Sequence, residues 1–240
     1  MAAWWMTEAL PLTATAFMPF LVLPFAGVSS AKETAESYYS EILFLLLGGA
    51  FIALAIERTG LHRRLAVGVL RLAGRSAGPW GLLLAFMGST ALLSMLISNT
   101  STALIMMPMA LAVLQAGKAE GDDWAGLSGA LPMGIAFAAS IGGLGTIVGS
   151  PTNAIAVGLI AEVLGYRIGF AEWMAYGVPV VALGIPLAAL IIGRVQRVGA
   201  KAFDAQAARD GIATQAEWSA PEFRLVPVVA MTFALWMAQA

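Results

Sequence analysis

The sequence predicts an all-α polytopic membrane protein, and three observations carry that reading. Of its 240 residues, 60% are hydrophobic and 11% charged, with a mean hydropathy of +0.84. Soluble domains carry about 25% charged residues. Several apolar runs approach the roughly 20 residues that a spanning helix needs. Two of these runs are broken in the middle, one by Ser98-Asn99-Thr100-Ser101-Thr102 and the other by the stretch from Gly142 to Asn153. At membrane depth backbone groups must be satisfied internally, so such breaks are tolerated only where they line a cavity or are buried in protein.

In chain order, residues 4–25 read as a native span. Glu8 and Pro11 near its start, and the lack of a basic n-region, argue against a secretory signal. Residues 26–40, with Lys32, Glu33 and Glu36, read as a polar loop. A second span covers 41–56 and contains the close-packing pair Gly48-Gly49. Arg58, His62, Arg63, Arg64, Arg71 and Arg75 then crowd around Leu61, Leu65, Val69 and Leu72, which recur at helical spacing. This predicts an amphipathic helix on the cytoplasmic membrane surface, with His62 solvated among arginines rather than ligating a metal. Trp4, Trp5 and Trp80 read as interfacial anchors.

The break at Ser98–Thr102 separates two apolar arms, 79–97 and 101–115, which predicts a helix–tip–helix hairpin. Asn99, Thr100 and Ser101 are good N-cap types, so the second arm points its free N–H groups and positive dipole end at the tip. That end suits an anion. Ser94 and Ser98, four apart, are expected on one face beside carbonyls left free by the first arm's end. Hydroxyls, an amide and carbonyls make an all-oxygen site for a hard cation.

Residues 117–124 read as a polar turn, and the stretch 125–165 as one helix interrupted at 142–153. Charge parity selects a single crossing. The next span, 174–192, ends in Arg194, Arg197, Lys201 and Arg209, which belong on the same side as the Arg58–Arg75 cluster. Ser150 is a candidate cap and Pro151 suits the first helical position, so a second helix N-terminus points to mid-membrane. Thr152 reads as a helix cap or a substrate contact. Residues 200–221 are polar and cytoplasmic, and another span begins at Glu222.

Neither 79–115 nor 125–161 contains Asp, Glu, Lys, Arg or His. A proton relay through them is disfavoured. An anion held there would need its charge balanced by dipoles and bound cations, and sodium would serve. No Ser–His or paired-carboxylate arrangement falls at membrane depth, which speaks against an enzyme. The chain has no cysteine, and its net charge of −1 gives no reason to propose a nucleic-acid partner.

Four stretches together resemble the divalent anion:sodium symporter family: WWMTEALPLTATAF at 4–17, FLLLGGAFIALAIERTGLHRR at 44–64, LLSMLISNTSTA around Ser98-Asn99-Thr100, and GGLGTIVGSPTN at 142–153. The resemblance covers nearly the whole chain. It implies an elevator-type transporter of two inverted repeats, each with a re-entrant hairpin and a broken helix, working as a homodimer in the bacterial inner membrane. It further implies that Ser98, Asn99 and Thr100 meet a substrate carboxylate, joined by Ser150, Pro151 and Thr152 from the broken helix. Ser94, Ser98, Asn99 and the Gly149 backbone would hold sodium. The family commonly has Gly-Thr-Pro-Pro-Asn where this chain has Gly149-Ser150-Pro151-Thr152-Asn153.

The expected division is 1–76 scaffold-like spans and surface helix, 77–165 transport domain, 166–221 helix and cytoplasmic segment, and 222–240 the start of a second repeat. The expected function is sodium-coupled uptake of a divalent anion, a C4-dicarboxylate such as succinate. Within the family the alternatives are a dicarboxylate or citrate exchanger and a sulfate transporter. Outside it they are a non-transporting fragment, half of a split transporter, or an anion channel.

Overall fold

The structure is a computed structural model and describes residues 2–39, 41–73, 78–116, 126–199 and 218–238. The expected turn at 117–124, Arg75, Lys201, Arg209 and most of the polar segment 200–221 lie outside these, as do the side chains of Val69, Arg71 and Leu72. Helices account for the described secondary structure: α1 Ala2–Thr7, α2 Leu12–Phe25, α3 Ala31–Tyr38, α4 Glu41–Thr59, α5 Leu61–Ala73, α6 Pro79–Ser94, α7 Asn99–Ala116, α8 Leu127–Gly143, α9 Pro151–Leu164, α10 Phe170–Val195 and α11 Ala220–Met237, with a 3₁₀ turn at Ile147–Gly149. Helices long and apolar enough to cross a membrane lie within Ala31–Thr59, at Phe170–Val195 and at Ala220–Met237. The chain is an integral membrane protein.

It forms two compact units, Met1–Leu47 and Gly48–Ala240. In the first, the expected single span at 4–25 is instead two helices. Glu8 adopts a left-handed φ of 51°, and Pro11 restarts the chain as the N-cap of α2. The expected loop at 26–40 is also corrected, because it contains α3. Ser30 and Glu33 make a reciprocal capping box, Ser30 Oγ accepting from Glu33 N at 3.2 Å and Glu33 Oε2 accepting from Ser30 N at 2.9 Å. Tyr38 ties α3 to α2 by donating to the Ala16 carbonyl at 2.7 Å, its ring flanked by Phe17 and Phe20.

In the second unit, Gly60 (φ 83°) ends α4 and α5 follows at once. The surface-helix expectation needs correction here. Leu61 and His62 are buried, and His62 Nδ1 lies 3.0 Å from the Ile56 carbonyl, so the imidazole is a packed, hydrogen-bonded part of the elbow rather than a solvated group. Arg64 is also drawn inward. Its Nε donates to Glu222 Oε1 at 2.8 Å, its guanidinium lies 4.7 Å from the Trp218 ring centroid, and Ser219 and Glu222 form the capping box that starts α11.

The main core joins α6, α7, α8 and α10 through Leu83, Phe86, Met106, Leu131, Ile135 and Ile185, among others. α6 is apolar all round because it is buried nearly all round. Glycine sets its distance from α8: a Cβ on Gly142 would lie 2.4 Å from Ala91 Cα, so the two backbones touch. Trp80 packs over Gly193 and against this core. A second cluster places Leu96 and Ile97, from the turn after α6, with Ile56 and Leu61 of the elbow and Leu225 and Val229 of α11.

Candidate functional site

Both predicted breaks are present, and they meet. α6 ends at Ser94 and α7 begins at Asn99; α8 ends at Gly143 and α9 begins at Pro151. Each break leaves helix-terminal carbonyls and N–H groups without intrahelical partners. Where these groups go defines the site.

The carbonyls at the second break are largely consumed by side chains. Asn153 Nδ2 donates to Gly143 O at 2.7 Å and to Thr146 O at 2.8 Å, using both of its protons. Trp173 of α10 donates Nε1–H to Leu144 O at 2.9 Å. Thr146 Oγ1 donates across to Met95 O, in the first break, at 2.6 Å and accepts from Gly149 N at 2.9 Å. Thr146 and Asn153 are 1% and 4% exposed. Neither was singled out from the sequence, because a lone Thr and the Asn closing a motif look like any polar loop residue; the signal would have been the need to satisfy a broken backbone.

The helix starts are only partly satisfied. Ser98 is the cap of α7: its Oγ accepts from Ser101 N at 3.2 Å and its carbonyl from Thr102 N at 2.9 Å. This corrects the expectation that Asn99, Thr100 or Ser101 caps, and the N–H groups of Asn99 and Thr100 are left over. Ser150 occupies the N-cap position of α9 and Pro151 follows at N1, as predicted. The Ser150 side chain does not cap, however; its hydroxyl lies 3.1 Å from Thr152 Oγ1, and only its carbonyl accepts, from Asn153 N at 3.1 Å. Thr152 is therefore not a cap either. Ser98, Thr100, Pro151 and Thr152 are exposed, with Asn99 and Ser150 half-buried, above the buried joint.

Ser94 is fully buried and sits where the joint is tightest. Its Oγ is 2.7 Å from Asn99 Oδ1 and 2.6 Å from the Ala139 carbonyl of α8. A hydroxyl has one proton, so it can donate to only one of these two acceptors. Asn99 Oδ1 also lies 2.6 Å from where a Cβ on Gly143 would be, and a Cβ on Gly149 would lie 2.5 Å from Gly143 O and 3.0 Å from Ser94 O. Of the four residues expected around a cation, Ser94, Asn99 and Gly149 thus converge. Ser98 does not join them, because α6 ends before it and its hydroxyl is engaged as a cap. The further oxygen beside Ser94 is instead the Ala139 carbonyl, a backbone atom that no residue-type pattern reveals.

The model of the citrate transporter family matches residues 2–240. The chain belongs to the citrate transporter family. Among relatives of this citrate transporter family chain, the sodium-dependent dicarboxylate transporter SdcS of Staphylococcus saprophyticus is 40% identical over 186 residues, covering 75% of this chain and 36% of the relative. SdcS of Staphylococcus aureus is 38% identical over 192 residues, covering 77% of this chain and 36% of the relative. The chain therefore spans about a third of the length of the curated relatives it matches. The resemblance to the divalent anion:sodium symporters, drawn from four short motifs, is borne out. For the question of catalysis, the citrate transporter family replaces an argument from missing catalytic residues with a positive statement: the family and these relatives are described as transporters.

Proposed function

We propose that this chain builds the first inverted repeat of an elevator-type transporter that takes up a divalent anion, a C4-dicarboxylate such as succinate, together with sodium. The observation that carries the reading is the close approach of Asn99 Oδ1 and the Ala139 carbonyl to the buried Ser94 hydroxyl. With the Asn99 amide oxygen turned toward Ser94, three oxygens share one hydroxyl proton in a buried place, and one of the two close contacts has no hydrogen in it. A hard cation, which prefers oxygen ligands, turns that repulsion into coordination. Asn99 turned by 180° about its amide would instead donate Nδ2–H to Ser94 and close the chain without an ion.

The anion's place is beside it. The N–H groups of Asn99, Thr100 and Thr152, with the positive ends of α7 and α9, offer donors but no full charge. Sodium bound first supplies the missing charge and leaves the Asn99 amide N–H₂ free for a carboxylate. Cation and anion affinities are then coupled reciprocally. Ser98, Thr100, Ser150 and Pro151 border this place, while Ser94, Asn99 and Gly149 border the cation. The SdcS relatives are named sodium-dependent dicarboxylate transporters, which supports both solutes. α6 and α7 serve as a re-entrant hairpin and α8 with α9 as one interrupted crossing, together forming a transport domain over 77–165. Residues 1–76 act as scaffold, 166–221 as a helix and cytoplasmic segment, and 222–240 open a second repeat. The working unit is a homodimer in the bacterial inner membrane.

In proteoliposomes of the full-length protein, replacing sodium by choline at constant ionic strength is expected to abolish succinate uptake. Uptake indifferent to the replacement would rule out symport and leave the family's exchange mode.

A further inference from the structure

Thr146 and Asn153 are buried side chains that bond main-chain groups of the breaks: Thr146 links the second break to the first, and Asn153 closes the second upon itself. Thr146 spends its one proton on Met95 O, the carbonyl next to Ser94, and one lone pair on Gly149 N. It thereby fixes the separation between the end of α6 and the Gly149 backbone. Asn153 spends both amide protons on Gly143 O and Thr146 O, closing the loop between the end of α8 and the start of α9. The carbonyls of Met95, Gly143 and Thr146 each have one lone pair engaged, and so their direction fixed, by these two side chains. Those of Ser94, Ala139 and Gly149 are not engaged by either side chain.

We propose that Thr146 and Asn153 are positioning residues for the sodium site: by holding Met95, Gly143 and Gly149 in place they determine which oxygens face the cation, and so set sodium affinity without contacting the ion. The inference rests on the transport reading above. Asn153 faces two carbonyls and has no neutral replacement that keeps both bonds, so Thr146 is the cleaner test. Valine matches threonine in shape but neither donates nor accepts. Serine keeps the hydroxyl and loses only a methyl group.

The experiment is a sodium titration of succinate uptake by the full-length protein in proteoliposomes, with Thr146→Val and Thr146→Ser compared at equal amounts of monodisperse reconstituted protein. Loss of a hydrogen bond that aligns the site is expected to raise the sodium half-saturation about tenfold in T146V. At saturating sodium, T146V should retain most of its maximal rate, and T146S should stay within about twofold of the parent on both measures. A merely structural role would lower the recovered protein or the maximal rate and leave the half-saturation where it was. Thr146→Cys, a weak donor of intermediate size, provides the same comparison if T146V is not recovered folded. An unchanged half-saturation in T146V or in T146C, or a T146S as impaired as T146V, would overturn the positioning role. A parent whose uptake ignores sodium would overturn the transport reading itself, and this inference with it.

Discussion

Replacing Asn99 by alanine is expected to reduce sodium-dependent uptake by about a hundredfold, because two charge-assisted interactions, one to the cation and one to the anion, leave together. The fold should survive. Asn99 is the first residue of α7, where alanine is well tolerated, and Ser94 keeps the Ala139 carbonyl at 2.6 Å as an acceptor for its proton. The loss can therefore be read as loss of the site, provided that the variant reconstitutes in normal amounts with an unchanged melting profile. Near-normal uptake by Asn99→Ala would remove the α6–α7 turn from the transport site and, with it, the reading of Ser94 as a cation ligand.

The second large effect concerns packing. Gly142→Ala would push a methyl group to 2.4 Å from Ala91 Cα and 2.5 Å from Ala91 O. Both are backbone atoms, so no side chain can turn aside, and α6 and α8 must separate. Overpacking of this kind costs about 1–3 kcal/mol or more, and here it also pulls the Ala139 carbonyl away from Ser94. Little folded protein is expected in a detergent size-exclusion assay. Gly88→Ala supplies the control, since nothing lies within 4 Å of a Cβ there and the residue sits inside α6. That variant should be at least as stable as the parent, by up to about 1 kcal/mol from helix propensity. Equal yields of the two variants would mean that α6 and α8 do not approach as closely as described.

What the sequence made legible, and what it did not, follows from where the information is stored. A polar pentad inside an uncharged run, and glycines followed by Ser150-Pro151, are residue-type signals; the second break lies where its signal placed it, while the first falls at 95–98, just before the pentad, of which only Ser98 lies outside α7. α10 was equally legible, as a long apolar run followed by arginines. The capping box of α3 was legible too, since Ser30-Ala31-Lys32-Glu33 has its spacing, but the local density of charge reads as loop. The fate of His62 was not legible. A glycine turn at Gly60 folds it back on the Ile56 carbonyl, and without that turn a histidine among arginines looks solvated. Arg64 is the same case, because its partner Glu222 lies 158 residues further along the chain. At the site, the missed contributors either are backbone carbonyls or bond to them. The Ala139 oxygen belongs to the peptide of a residue with no polar side chain, and the partners of Thr146 and Asn153 are peptide groups. Sequence patterns report side chains. The closure of a broken helix is written mostly in main-chain atoms.

The neutrality of that closure bears on how salt acts on the protein. Every bond described at the joint, from Ser94 to Asn153, is between uncharged groups. Mobile ions screen charges, so ionic strength has almost no purchase on these contacts. The joint is expected to keep its geometry from dilute buffer to concentrated brine. On the transport reading proposed above, the salt that matters to the joint is then the identity of an ion small enough to enter among its oxygens, not how much electrolyte surrounds it.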